Sequence, residues 1–321
     1  MNIEESFFII LLTVAVRAGT PLLFSTLGEI FTERSGILNL GIEGIMLIGA
    51  LSGFKTAHYL QNNISIDANV SLIIAVIVAI ISGGLFSLIH AFISVTLKGN
   101  QVVSGLSLVI LGMGLSAFWG KSMIGEPLKF SIKPFKFPIL GDIPILGNIF
   151  FNQDILVYIS YFLVFICWFI LMKTRIGLNI RSTGENPIAV DIMGLNVYKI
   201  RYFCVLIGGM FAGIAGAYLS LAYTPVWIEG MTAGRGWICI ALVIFSSWNP
   251  IGALFGSYLF GGINALQLRL QAIGTNIPAS FLQMLPYIFT ILVLVLSIIF
   301  SKNKIIAPFS LTQSYDRESR T

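Results

Sequence analysis

The chain has 321 residues, 56% hydrophobic and 10% charged, against about 25% charged in a soluble domain. That balance excludes a soluble globular protein and reads as a polytopic membrane protein. The net charge of +5 lies in loops and the C-terminal tail, so it is an orientation signal rather than a nucleic-acid-binding surface.

The start, MNIEESFFIILL, carries acidic residues where a signal peptide needs basic ones, so it reads as a retained first span. Spans need about 20 apolar residues. The first runs from Phe7 to Phe31, interrupted by Arg17, Gly19 and Pro21, and ends in a polar knot, Thr32 to Ser35. The second, Gly36 to Leu60, is rich in glycine. Gly36, Gly41, Gly44, Gly49 and Gly53 permit close helix packing or a break inside the membrane. Asn39 and Glu43 are four apart and share one side of a helix if the helix continues through them. They either satisfy each other or a neighbouring helix, or they wall a polar translocation cavity.

Ala68 to Leu97 is the cleanest span, and Lys98 to Gln101 is a tight polar turn holding Asn100 and Gln101. Val102 to Gly120 is a fourth span. In Lys121 to Gln153, Pro127, Pro134, Pro138 and Pro144 break any helix, which predicts an extramembrane loop with a short hairpin or a surface-lying piece. A fifth span covers Ile155 to Met172.

Arg181 to Arg201 is the longest clearly polar segment inside the apolar chain. Asn186 is an N-cap, Pro187 suits the first helical position, and Gly194 can end a helix. The spacing predicts a short helix, Pro187 to Met193, with Ile188, Ile192 and Leu195 on one side and Glu185 at its positive end. Such a helix is marginal alone. It is either a loop helix packed on its own protein or a docking helix shown to a cytoplasmic partner.

The sixth span, Tyr202 to Ala222, carries Gly209 and Gly213 in GxxxG spacing, as do Gly49/Gly53 and Gly252/Gly256 elsewhere. A loop follows, and then Trp237 to Leu270, which is too long for one span. Trp248-Asn249-Pro250 cuts it into two pieces, as a turn between half-helices or as part of a gate. The last span, Phe281 to Phe300, leads to a polar tail that reads as mobile. Lys173, Arg175, Arg181, Lys199 and Arg201, with Lys302, Lys304, Arg317 and Arg320, place residues 173–201 and the tail in the cytoplasm. Parity then puts 121–153 outside despite its four lysines, and the N-terminus outside unless a break near 36–44 reverses it.

Cys167, Cys204 and Cys239 fall within apolar spans and read as small buried hydrophobes, not as a disulfide framework or a metal site. His58 and His90 have neither a paired carboxylate nor metal-ligand spacing, and no catalytic constellation is present. GLSAFWGKS, Gly114 to Ser122, has five residues between its glycines where a phosphate loop has four, and it follows a span rather than a strand. Glu29 and Glu43 give an ion-coupled carrier little support. The neutral set Asn39, Asn100, Gln101, Asn249, Asn264 and Gln267, with Trp119, Trp237 and Trp248, suits a neutral solute with hydroxyls and a flat ring.

ERSGILNLGIEGIMLIGA, NQVVSGLSLVILGMGL, GENPIAVDIMGLNVYKIR and GRGWICIALVIFSSWNPIGALFG resemble, in this order, the permease subunits of ABC importers of the ribose, branched-chain amino acid and nucleoside branch. The GxLNLGxEGxM form, Gly36 to Met46, resembles the nucleoside and simple-sugar members most. The resemblance implies an ATPase subunit that binds ATP and Mg, with no cofactor on this chain. It also implies a second permease, usually a longer paralogue, and an extracytoplasmic solute-binding protein or lipoprotein. Gly184 to Gly194 then resembles the coupling loop, with Glu185, Asn186, Pro187, Ile188, Asp191, Ile192 and Gly194 facing the ATPase.

The expectation is an all-α integral permease of roughly eight to ten membrane helices, some broken or re-entrant, in the bacterial cytoplasmic (inner) membrane. Residues 1–301 form the transmembrane domain, 121–153 an extracytoplasmic loop, 173–201 the cytoplasmic coupling loop and 302–321 a cytoplasmic tail. The substrate pathway is expected at Asn39, Glu43, Asn100, Gln101, Trp248 and Asn249. The expected solute is a nucleoside, then a simple sugar such as ribose or galactose, then a branched-chain amino acid; a stand-alone secondary carrier is the alternative class.

Overall fold

The computed structural model describes residues 3–64, 66–274, 278–300 and 307–317. The first span is one 32-residue helix, α1 (Ile3–Arg34), uninterrupted by Pro21. There follow α2 (Ile42–Asn63), α3 (Ala68–Ala91) with a terminal π-helical turn Phe92–Thr96, and α4 (Gln101–Gly120). The loop holds β1 (Phe135–Lys136), α5 (Leu146–Phe150) and β2 (Asn152–Gln153). Then come α6 (Ile155–Lys173), α7 (Arg175–Glu185), α8 (Pro187–Ile192) and α9 (Val197–Tyr218) with its π-helical turn Leu219–Tyr223. The chain ends in α10 (Arg235–Phe245), α11 (Pro250–Ala272) and α12 (Ala279–Phe300).

The polar punctuation explains these boundaries. Asp67, Asn100, Asp154, Thr174, Asn186, Asn196 and Asn249 are each an N-cap whose side chain accepts a first-turn N–H. Asp154 also accepts the Tyr218 hydroxyl at 3.0 Å. Burial pushes its carboxyl up, against the cap bond from Val157, the Tyr218 bond and the charge of Arg17.

Among the described residues, six helices are long and apolar enough to cross a membrane: Phe8–Arg34, Ala68–Thr96, Gln101–Met123, Ile155–Lys173, Val197–Tyr223 and Pro250–Ala272. α2 and α12, at 22 residues each, run beside them, whereas α10 has 11 residues and spans only about 16 Å. The chain is an all-α polytopic membrane protein.

α9 is the hub, packed on α1, α2 and α3. A Cβ at Gly213 would lie 2.2 Å from the Ala79 carbonyl oxygen, and one at Gly49 would lie 2.6 Å from the Gly213 Cα. Only glycine permits those approaches. The Gly252/Gly256 pair packs on Ser246, Leu242 and Phe245, within the α10–α11 hairpin. All the GxxxG pairs therefore make contacts inside this chain.

The bundle has two ends. At one, the start of α1 meets the 121–153 loop through Thr13 and Asn148, and Leu128 N donates to Pro225 O. The expected hairpin is there, with Phe135 paired to Gln153 and Lys136 to Asn152. At the other end lie the end of α1, the π turn after α3, α7, α8, the start of α9 and residues 307–317.

His58 has a carboxylate partner after all, Glu126 Oε2 at 2.7 Å from its Nε2, and two further expectations need correction. The tail is polar but packed from 307 to 317. Ser310 N donates to Gly184 O at 2.8 Å, its hydroxyl donates to the same oxygen at 2.7 Å, and Arg201 Nη1 donates to Gln313 O at 3.2 Å. The last carbonyls of α7 have no helical partner, and Ser310 satisfies them. Lys302, Lys304 and Arg320 lie outside the described residues. Secondly, Asn39 and Glu43 do not share a helix, because the chain is unwound until α2 starts at Ile42.

Candidate functional site

Two unwound segments, 35–41 before α2 and 224–234 before α10, lead into helices whose first turns contact each other. Backbone inside a membrane must find partners within the protein. Ser35, Gly36 and Ile37 find carbonyls at the end of α1, and N–H groups after them find side chains. Leu38 N donates to Gln101 Oε1 at 2.8 Å, Asn39 N to Glu29 Oε1 at 3.1 Å, and Gly41 N to Asn39 Oδ1 at 3.0 Å. His90 Nε2 donates to Leu38 O at 3.1 Å, so its Nδ1 accepts from the Ser104 hydroxyl at 3.0 Å. His90 is a buried strut, and its role in holding this segment was not visible in the sequence.

Glu43, in the first turn of α2, fastens that helix to the second segment. Its carboxylate accepts from the Thr232 hydroxyl at 2.6 Å, Gly234 N at 2.8 Å and Gly236 N at 2.6 Å. These groups form the N-terminus of α10, where a helix dipole favours an anion. Gly234 has φ +79°, and Gly236 leaves room for the carboxylate. Arg235 Nη1 donates to Met231 O and Thr232 O, both at 3.1 Å, and its guanidinium lies 5.7 Å from the Tyr223 ring centre. Glu43 is thus held by three donors of the chain, whereas Arg235 meets only neutral carbonyls and a ring, and its Nε finds no partner among the described residues.

The other pathway candidates are also engaged. Asn100 accepts Val103 N at 3.1 Å and Asn249 accepts Ile251 N at 3.0 Å, each as a helix cap. Trp248 Nε1 donates to Glu33 Oε2 at 2.6 Å. The α10–α11 turn is strained, with φ +53° at Ser247 and +54° at Trp248. Arg34 Nη2 donates to Ser247 O and Trp248 O, both at 3.3 Å. A Cβ at Gly184 would lie 2.2 Å from Arg34 O, so the end of α7 rests on the same point of α1.

The segment 186–195 folds as its local residues direct. Asn186 Oδ1 accepts Ala189 N at 3.0 Å and Pro187 opens α8. Gly194 has φ +83°; Gly194 N donates to Asp191 O at 3.0 Å and Leu195 N to Val190 O at 3.2 Å. These two bonds form a Schellman stop. Val190 is buried beside Val197 and Tyr315. Ile188, Ile192 and Met193 face outward at 50%, 69% and 79% exposure. Asp191 forms an ion pair with Arg317 at 3.3 Å.

The sequence signature of the family described as branched-chain amino acid transport system / permease component matches residues 10–298. A candidate glucose ABC transporter permease protein of Haloferax volcanii is 40% identical over 96% of this chain and 98% of its own. A guanosine ABC transporter permease protein of Bacillus subtilis is 39% identical over 92% and 93%. A nucleoside ABC transporter permease protein of Lactococcus lactis is 36% identical over 96% of each. Each of these organisms also holds a second, more distant permease relative, at 23%, 25% and 21% identity respectively. No solved structure matches the chain.

Proposed function

The chain belongs to the branched-chain amino acid transport permease family, a membrane transport component and not an enzyme, and from that premise we infer that it carries a neutral nucleoside inward. The solute class rests on the guanosine and nucleoside permeases at 39% and 36% identity. The observation that supports a neutral solute is the junction at Glu43, whose carboxylate is engaged by three donors of this chain. A charged solute would need a free countercharge in the path. The unwound segments 35–41 and 224–234 are the pathway wall on this reading, and Asn39, Glu43 and Gln101 hold that wall in shape. The Trp248-Asn249 turn is its gate at the α8 end, and Asn100 caps the neighbouring helix there.

The family implies an ATPase and an extracytoplasmic binding protein as partners. We place the ATPase on α8, with Glu185, Asn186, Pro187, Ile188, Asp191, Ile192 and Gly194 as the coupling residues. The outward apolar side of α8 supports this, because no described part of the chain covers Ile188, Ile192 or Met193. That end, with residues 307–317, is then cytoplasmic and residues 121–153 lie outside. The permease is one half of a pair, and the second, distant relative in each organism supports a paralogue as the other half. A simple sugar is the second reading, favoured by the relative at 40% identity. Ligand binding by the cognate extracytoplasmic receptor separates the two: nanomolar-to-micromolar binding of nucleosides with none of glucose or ribose is expected, and the reverse would transfer the assignment to sugars.

A further inference from the structure

The C-terminal strap, residues 307–317, ties α7, α8, α9 and the turn after α3 together at the α8 end. Besides Ser310 on the end of α7, Phe309 N donates to Glu185 Oε2, Lys98 pairs with Asp316 at 2.6 Å, and the Tyr315 ring lies tilted against Tyr198 with centroids 5.6 Å apart. Yet Phe309 itself projects outward at 75% exposure, on a segment whose neighbours Pro308 and Ser310 are buried. A backbone pinned on both sides of an exposed phenylalanine holds that ring out. Between it and α8 lies a cleft of about 310 Å³, lined by Glu185, Pro187, Ile188, Phe309 and Asp316 among others. Its lining mixes apolar faces at Ile188 and Phe309 with amides and hydroxyls, and carries the carboxylates of Glu185 and Asp316. That combination matches a long basic side chain, with an alkyl stem against Ile188 and Phe309 and a cationic head at Glu185.

We propose that the ATPase subunit grips this permease at two points, the α8 helix and Phe309 on the strap, and inserts a lysine or arginine into the cleft between them. The inference rests on the coupling reading of α8, with which the cleft is continuous. It adds a second anchor, and it explains why the strap is fastened to α7, α8 and α9 together. A grip on both would move them as one body.

The test is reagent protection in the full transporter complex. Cys167, Cys204 and Cys239 are all buried, so an introduced surface thiol reacts selectively. Phe309→Cys and Ile188→Cys variants are labelled with a maleimide in nanodiscs, with and without the ATPase subunit. The expected result is fast labelling of both without the ATPase and several-fold slower labelling of both with it. Protection of the Ile188→Cys variant alone would overturn the second anchor and leave the coupling reading standing. Protection of neither would overturn both. Slow labelling of the Phe309→Cys variant before the ATPase is added would mean that lipid covers Phe309, and the proposal would fall. A Glu185→Gln variant should retain less ATPase than wild type at low salt, with the difference shrinking as salt is raised, and unchanged retention at every salt concentration would remove the basic side chain from the proposal.

Discussion

The indole Nε1 of Trp248 donates to Glu33 Oε2 at 2.6 Å, which fastens the strained turn between α10 and α11 to the last turn of α1. Replacing Trp248 with Phe keeps most of the buried ring but leaves that carboxylate oxygen without its donor, at a cost of about 1–3 kcal/mol. Trp248→Phe should therefore melt lower in detergent than the wild type. Ser247→Gly should not, because glycine relieves the positive φ at that position. A Ser247→Gly protein that melts below wild type would show that the turn is not strained in this way.

At Gly194, φ +83° is a conformation that a β-branched residue strains, at about 1–2 kcal/mol. Gly194→Val should loosen the Schellman stop of α8 and weaken ATPase retention. Ile188→Asp should abolish retention with little change in melting temperature, since Ile188 is half exposed. Pull-down of the ATPase reads both. Unchanged retention in the two variants would contradict docking at α8.

Gly213→Leu places a side chain where even a Cβ meets the Ala79 carbonyl at 2.2 Å. Overpacking of this kind costs about 1–3 kcal/mol or more. The contact lies inside the chain, so the variant should express poorly whether or not a second permease is present. Normal expression with selective loss of pairing would instead put Gly213 at an interface between permeases.

Glu43→Leu leaves the Thr232 hydroxyl and the N–H groups of Gly234 and Gly236 without their acceptor inside the membrane. Membrane-inserted protein should fall together with transport. Thr232→Val removes only one donor and should be milder on both. Loss of transport at a full protein level in Glu43→Leu would mean that Glu43 meets the solute rather than α10.

What the sequence showed depended on how far apart the partners are. Asn186, Pro187 and Gly194 act within one short helix, so their roles could be read directly. Trp248-Asn249-Pro250 announced a break for the same reason, since Asn249 caps the residues that follow it. The strap could not be read, because Ser310 finds its partner in Gly184, 126 residues earlier. α7 was also missed: its buried side is Gly177, Ile180, Thr183 and Gly184, a pattern too small and polar to stand out. The Asn39–Glu43 spacing misled, because helix periodicity was applied across an unwound segment. Glu43 in fact answers to Thr232, 189 residues away.

The most direct measurement is solute competition for uptake into proteoliposomes that hold the permease pair, the ATPase and the binding protein, with ATP supplied on the ATPase side. A labelled nucleoside should accumulate only with ATP, and other uncharged nucleosides should displace it, while nucleotides and charged amino acids do not. Uptake that ignores ATP and follows an ion gradient, or that nucleotides or charged amino acids displace while nucleosides do not, would contradict an ATP-driven importer of neutral nucleosides.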